Sequence, residues 1–185
     1  MEASTKKKIL IAIAATAGFL LLAALGVFLY YLAQFSVYQD DQYKFSIKYP
    51  KGWKEIIHPK ETVAVVFLRP KDTSFDTVQE NFNVTVQEVP ADIFNLAAFS
   101  AKIKAQMTAV FGQSINIVED KDIKWGWREG HQMIIEAPKP DNLVMVNAWV
   151  ISGGQAYILT FLGDISKYPH DSILINEMIR SLQLQ

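Results

Sequence analysis

Hydrophobic and polar positions change rhythm twice along the chain, and each change predicts a different kind of element. From Ile9 to Ala33 there is no charged residue and almost no polar face. At about 1.5 Å per residue this run is long enough to cross a ~30 Å hydrocarbon core, and a core helix of a globular domain would need one polar side. It predicts one transmembrane helix within residues 1–35. Tyr30 and Tyr31 suit its far interface, and Lys6, Lys7 and Lys8 precede it, so the charge bias predicts a cytoplasmic N-terminus and an extracytoplasmic C-terminal domain, in a periplasm, a thylakoid lumen or the cell exterior. A cleavable signal is the rival reading, with small residues at Ala23 and Ala24. The run outlasts a signal h-region of ~7 to 15 residues, and no Ala-x-Ala site follows it. Ala14 and Gly18 form a small-xxx-small pair that the ordinary composition of such helices explains.

After a short polar connector, 36–42, the period becomes two and a domain over 43–185 begins. Tyr43, Phe45, Ile47 and Tyr49 fall on one side and Lys44, Ser46 and Lys48 on the other, which predicts a first strand ending at Pro50. Gly52 allows a turn and Trp53 to Ile57 can return as a second strand. TVAVVFLR (62–69) predicts a buried strand and Pro70 to Glu80 a loop; NFNVTVQEV restores alternation with Phe82, Val84 and Val86 inward. Leu96, Phe99, Ile103, Met107 and Val110 then recur at steps of three and four, predicting an amphipathic helix capped by Asp92 or Asn95 and closed at Gly112. INIVEDKDIKW with WREGHQMIIEA, and LVMVNAWVI with QAYILTFLG, predict two hairpins, the second turning at Gly153-Gly154. A last helix carries Ile175, Met178, Ile179 and Leu182 on one stripe, with Pro169 in its first turn. Together these predict an α+β domain of seven or eight mostly antiparallel strands with two helices.

Composition narrows the chemistry. Eighteen basic and nineteen acidic side chains balance to a formal charge of −1, so no electrostatic footprint for nucleic acid exists. The absence of cysteine excludes disulfides, thiolate catalysis, cysteine-ligated metals and a lipid-modified cysteine. No nucleophile elbow, dinucleotide turn, phosphate loop or His-Glu-x-x-His helix occurs.

What remains is sparse. Three histidines, His58, His131 and His170, have no metal-ligand spacing, although His131 with neighbouring carboxylates could bind a metal or act as a base in a small metal-dependent hydrolase. Glu119, Asp120 and Asp122 could offer oxygens to calcium, but Lys124 and Trp125 stand where the EF-hand loop needs an oxygen ligand and a glycine. A solvated hairpin is the simpler reading of that cluster. Trp125 and Trp127 are candidates for a partner-binding patch, against the commoner role of packing across a hairpin. Asn83-Val84-Thr85 is a glycosylation sequon best read as chance.

In their order and wording, YKFSIKYPKGW, ENFNVTVQEV, the helix, the Trp-rich hairpin, LVMVNAWVISGGQAYILTFLG and the closing IRSL resemble the PsbP-like domains. These include the extrinsic photosystem II protein, its bacterial relatives and the DcrB-like proteins. The resemblance runs from Val37 to Leu184. It implies an α/β/α sandwich around a mostly antiparallel sheet, without catalytic residues or a cofactor, that binds or stabilises a membrane-protein complex on the outer side of a lipid bilayer. A photosystem II accessory subunit is the narrower alternative, and the missing lipobox cysteine argues against it. If the N-terminal run were cleaved, the domain would be a soluble periplasmic binder.

Overall fold

The computed structural model describes residues 13, 16–26, 30, 33–71, 78–93, 95–112, 115–137 and 142–185, and the chain divides into two compact units, Met1–Ser36 and Val37–Gln185. In the first unit residues 16–26 are helical. Among the described residues no helix is long and apolar enough to cross a membrane, so the expected transmembrane helix is not supported by the described part; 9–12, 14–15, 27–29 and 31–32 lie outside it.

The second unit is α+β. Its strands are β1 (Phe35–Asp40), β2 (Phe45–Pro50), β3 (Lys54–Lys60), β4 (Val63–Leu68), β5 (Asn81–Glu88), β6 (Asn116–Trp125), β7 (Arg128–Ala137), β8 (Leu143–Ser152), β9 (Gln155–Asp164) and β10 (Gln183–Leu184). Helix α1 (Leu96–Phe111) lies between β5 and β6, and α2 (Tyr168–Arg180) between β9 and β10. Seven strands form one sheet in the order β3-β4-β5-β9-β8-β7-β6, with every recorded pairing antiparallel; β1, β2 and β10 form a small second sheet.

The turns follow from local chemistry. Trp125 pairs with Arg128 across Gly126-Trp127, with Gly126 at φ 60, and Ser152 pairs with Gln155 across Gly153-Gly154, both at positive φ. Two residues left of zero in φ would splay these strands, and glycine enters the left-handed region without a Cβ penalty. The Asn95 side chain accepts from the Ala98 amide and caps α1, which selects Asn95 over Asp92.

While the edge strands β3 and β6 are largely exposed, the central strands of the large sheet carry a buried core on each face. On one, Phe82, Val84, Val146, Leu159 and Phe161 meet Ile175, Met178 and Ile179 of α2 and Phe45, Ile47 and Tyr49 of the small sheet. On the other, Met133, Ile135 and Trp149 meet Phe99 and Ile103 of α1. The third layer of the expected α/β/α sandwich is therefore mixed, a helix flanked by three short strands.

Three expectations are corrected. The connector at 36–42 is largely strand β1. Its inward positions are Tyr38 and Asp40, and a buried aspartate disguised the alternation; its carboxylate accepts from Tyr38 Oη, 2.9 Å, and from the Gln42 and Tyr43 amides, 3.0 and 2.8 Å. The turn at Pro50-Lys51-Gly52-Trp53 does not close a hairpin. It carries the chain from the small sheet to the large one, with Gly52 at φ 93 and the Trp53 amide donating to Pro50, 3.2 Å. Val110 is 74% exposed; it faces outward, and the next residue, Phe111, takes the position toward the sheet beside Ile135 and Met145.

Candidate functional site

The β6–β7 hairpin carries every candidate side chain singled out from the sequence, and the pleat sorts them. Asp120 is opposite Met133 and Asp122 opposite His131, so these lie on the face that α1 covers; Glu119 is opposite Ile134 and belongs to the other face, where it pairs with Lys121 at 2.6 Å. Adjacent residues of a strand point to opposite sides. The acidic run is thus not one cluster, and the calcium site it suggested is not assembled. Among the described residues no group of three His, Cys, Asp or Glu side chains is arranged to hold a metal ion.

His131 is the centre of what the fold does bring together. Its side chain is 9% exposed, with Nδ1 2.7 Å from Asp122 Oδ1 and Nε2 2.5 Å from Asp120 Oδ1. Both ring nitrogens are thus engaged by carboxylates. The ring stacks on Trp149 at 4.9 Å between centroids, and Trp149 Nε1 donates to Ser100 Oγ of α1, 2.9 Å. Lys104, one turn further along α1, reaches Asp120 Oδ2 at 2.6 Å. Partial burial pushes the Asp120 carboxyl up, but hydrogen bonds and charge from Lys104 and His131 outweigh that and hold it below the ordinary aspartate range.

This network borders a groove of about 470 Å³ between α1 and the hairpin, lined by Ala97, Ser100, Ala101 and Lys104 on one side and Asp122, Lys124, Glu129 and His131 on the other. It offers the buried His131 ring and charges of both signs. For acid–base chemistry, however, neither ring nitrogen of His131 faces the opening unengaged.

Trp125 and Trp127 separate completely. Trp125 is buried, its Nε1 donating to the Ile179 carbonyl at 2.5 Å, and it lies across Gly130, where a Cβ would come within 2.6 Å of its ring. Trp127 is 83% exposed at the hairpin tip, with the Arg128 guanidinium 4.2 Å above its ring. The sequence signalled both tryptophans but not which one the core would take.

Of the other histidines, His58 stacks on Tyr43 and lies 3.3 Å from buried Asp40, tying β3 to the small sheet, while His170 sits in the first turn of α2. Sequence reasoning missed Lys104, Ser100 and Trp149 as companions of His131. The spacing of Ala97, Ser100, Ala101 and Lys104 places them on one side of α1, a signal that speaks only once the helix is docked. It also missed a buried cluster where Arg69 Nη1 reaches Glu80 Oε2 at 2.8 Å and Asp171 Oδ2 at 2.6 Å. Burial pushes the Glu80 carboxyl above its ordinary value, against the opposing pull of Arg69 and Lys167.

A seven-stranded antiparallel sheet between one helix and a helix-plus-small-sheet layer, with its candidate side chains on a single hairpin, defines a PsbP-like α+β domain. The chain belongs to the PsbP family, whose model matches residues 33–184. Among solved structures it is similar to the cyanobacterial PsbP (CyanoP) of Synechocystis sp. PCC 6803, at TM-score 0.64 and 13% identity over 83% of this chain and 94% of that one. It is also similar to LpqN of Mycobacterium tuberculosis, a protein involved in cell envelope biogenesis, at 0.58 and 9% over 82% and 91%. The Saccharomyces cerevisiae Ran-binding protein Mog1p matches at 0.54 and 11% over 81% and 95%. At these identities the likeness is one of fold. No curated protein matches in sequence.

Proposed function

We propose that this PsbP-family chain is a non-enzymatic binding module, tethered to a membrane through its N-terminal run, whose extracytoplasmic domain holds or stabilises a membrane-protein complex. The observation that carries the reading is the hairpin tip, where a tryptophan 83% exposed and stacked by an arginine projects from a rigid base fixed by buried Trp125. Exposed Trp and Arg on a well-packed support are the residue types that dominate protein interfaces. Three further points support it: the uncharged run behind three lysines, the engagement of both His131 nitrogens by carboxylates, and a fold that in Mog1p belongs to a protein described as Ran-binding. The test is recovery from native membranes in mild detergent. A stable co-migrating membrane protein is expected, with the chain retained in the pellet after alkaline carbonate washing; a free monomer on every preparation, or release by carbonate, would overturn the corresponding half of the reading.

A second reading, a small metal-dependent hydrolase centred on His131, is favoured by the groove beside that ring. It requires stoichiometric metal in the purified chain by elemental analysis and loss of function in His131→Ala. The photosystem II accessory role rests on the likeness to CyanoP and requires a photosynthetic source.

A further inference from the structure

A second concavity, about 320 Å³, opens beside the hairpin tip between Trp127 and the C-terminal segment. Its floor is apolar, from Val150 and Leu182, and its polar lining includes Arg128 and Arg180 but no carboxylate. That is a local excess of positive charge in a chain whose eighteen basic and nineteen acidic residues otherwise balance. Among the described residues neither guanidinium has a carboxylate within ion-pair distance. One flank is β10, the edge strand of the small sheet, with no strand on its far side among the described residues.

The groove is also rigid where rigidity matters. Trp125 Nε1 bonds to the Ile179 carbonyl, the residue before Arg180, so one buried indole fixes the hairpin carrying Arg128 against the end of α2 carrying Arg180. Gly130 makes the close approach possible, since a Cβ there would meet both the Trp125 ring and the Trp149 carbonyl below 3.0 Å. Stacking on Trp127 pre-orients the Arg128 guanidinium and removes part of its rotamer freedom before anything binds.

We infer that this groove takes an extended, acidic segment of a partner protein. Its carboxylates would be held by Arg128 and Arg180, an apolar side chain would be seated over Val150 and Leu182, and its backbone would lie along β10. Planar guanidinium groups match carboxylates bidentately, and an edge strand beside a pocket is the geometry of strand addition. A bilayer surface is the less suited occupant, because it is flat and the two arginines and the apolar floor face a concavity. The inference rests on the binding-module reading and assigns that reading its site and the chemistry of its partner.

The test uses the full chain in mild detergent and a fluorescently labelled short peptide alternating aspartate and glutamate with leucine, compared by anisotropy with the same peptide carrying lysine at every acidic position. The acidic peptide is expected to bind at least about tenfold more tightly, and Arg128→Glu with Arg180→Glu to weaken it at least about tenfold. Trp127→Ala is expected to weaken it as well, and added salt to weaken it progressively. Arg128→Gln and Arg180→Gln serve as the milder pair, and an unchanged near-ultraviolet circular dichroism signal from Trp125 certifies their fold. Equal affinity for the two peptides, or binding indifferent to both arginine pairs, overturns the inference. So does a chain that ignores peptides yet binds phosphatidylglycerol vesicles over phosphatidylcholine vesicles in an Arg128- and Arg180-dependent way, which would make this face a membrane contact. Native complexes recovered equally with the wild type and the glutamate pair would remove the groove from the interface and leave the binding-module reading standing. Failure to recover any complex would strike that reading while the peptide comparison still decided the groove.

Discussion

The two faces of the seven-stranded sheet solve the same burial problem with different materials. Toward α2 the layer is large, mainly apolar and rich in aromatic rings, with Phe45, Phe67, Phe82 and Phe161 each no more than 1% exposed and its buried charges, Asp40, Glu80 and Asp171, held by hydrogen bonds or ion pairs. Toward α1 the sheet carries a cross-strand polar row, Asn83, Thr160 and Asn147, beside the engaged His131; Thr160 Oγ1 donates to Asn147 Oδ1 at 2.9 Å. One helix covers this face and leaves a groove along its edge. Apolar burial contributes free energy without regard to direction, whereas hydrogen-bonded pairs contribute little net stability but fix geometry. The α2 face therefore holds the domain together, and the α1 face together with the hairpin tip holds side chains in position.

Truncation should break the symmetry most visibly. Phe82→Ala on the α2 face is expected to cost about 3–5 kcal/mol by chemical denaturation, and Ile103→Ala, from α1, about 2 kcal/mol, because α1 at the groove can relax toward the gap. Equal costs would show that both faces are load-sharing cores and that the distinction is wrong. Gly130→Ala comes next, at about 1–3 kcal/mol, since the new Cβ must displace the Trp125 ring and meets a main-chain carbonyl that cannot swing away; loss of the near-ultraviolet signal of Trp125 would mark the mechanism.

Acid titration separates the faces by sign. Asp120, on the α1 face, titrates below its unfolded value of 3.8 when folded, so its contribution is present above that value and is lost as pH falls through the lower folded one. Glu80, packed against Arg69 and Asp171 of α2, titrates above its unfolded value of 4.5. Its contribution is fullest below that value and declines as pH rises through the folded one. The stability difference between wild type and Asp120→Asn should accordingly shrink on acidification, to the wild type's disadvantage, whereas the difference from Glu80→Gln should move in the wild type's favour. Parallel curves would refute the assignment of opposite environments.

The smallest expected effect is the most telling for function. Trp127→Ala should change stability by no more than about 0.5 kcal/mol, because the ring is 83% exposed, whereas Trp125→Ala should cost about 3–5 kcal/mol. A Trp127 that proved structurally important would remove the best reason for seeing an interaction surface at the tip.

Much of the fold was legible in the chain. The alternation of Phe82, Val84 and Val86, the stripe of Ile175, Met178 and Ile179, and the Gly153-Gly154 turn each lie where the local period placed them, because side-chain direction and turn geometry are set by a few neighbouring residues; Leu182 is buried too, but beyond the helix, which ends at Arg180. The candidate site was legible only in part. His131 and its carboxylates were visible as types, but the pleat removed Glu119 from their company and added Lys104, Ser100 and Trp149 from elements far away in sequence.

Sequence by itself determined the periods, the turns, the absence of cysteine chemistry and the balance of charge, all of which depend on residue identity and short spacing. Tertiary structure alone decided that β2 and β3 part into different sheets, that Asp40 is buried, and that Trp125 packs inside while Trp127 stays out. The reason is that strand edges recognise one another through backbone groups common to nearly every residue, so local pattern says which way a side chain points and not which strand or helix it will meet.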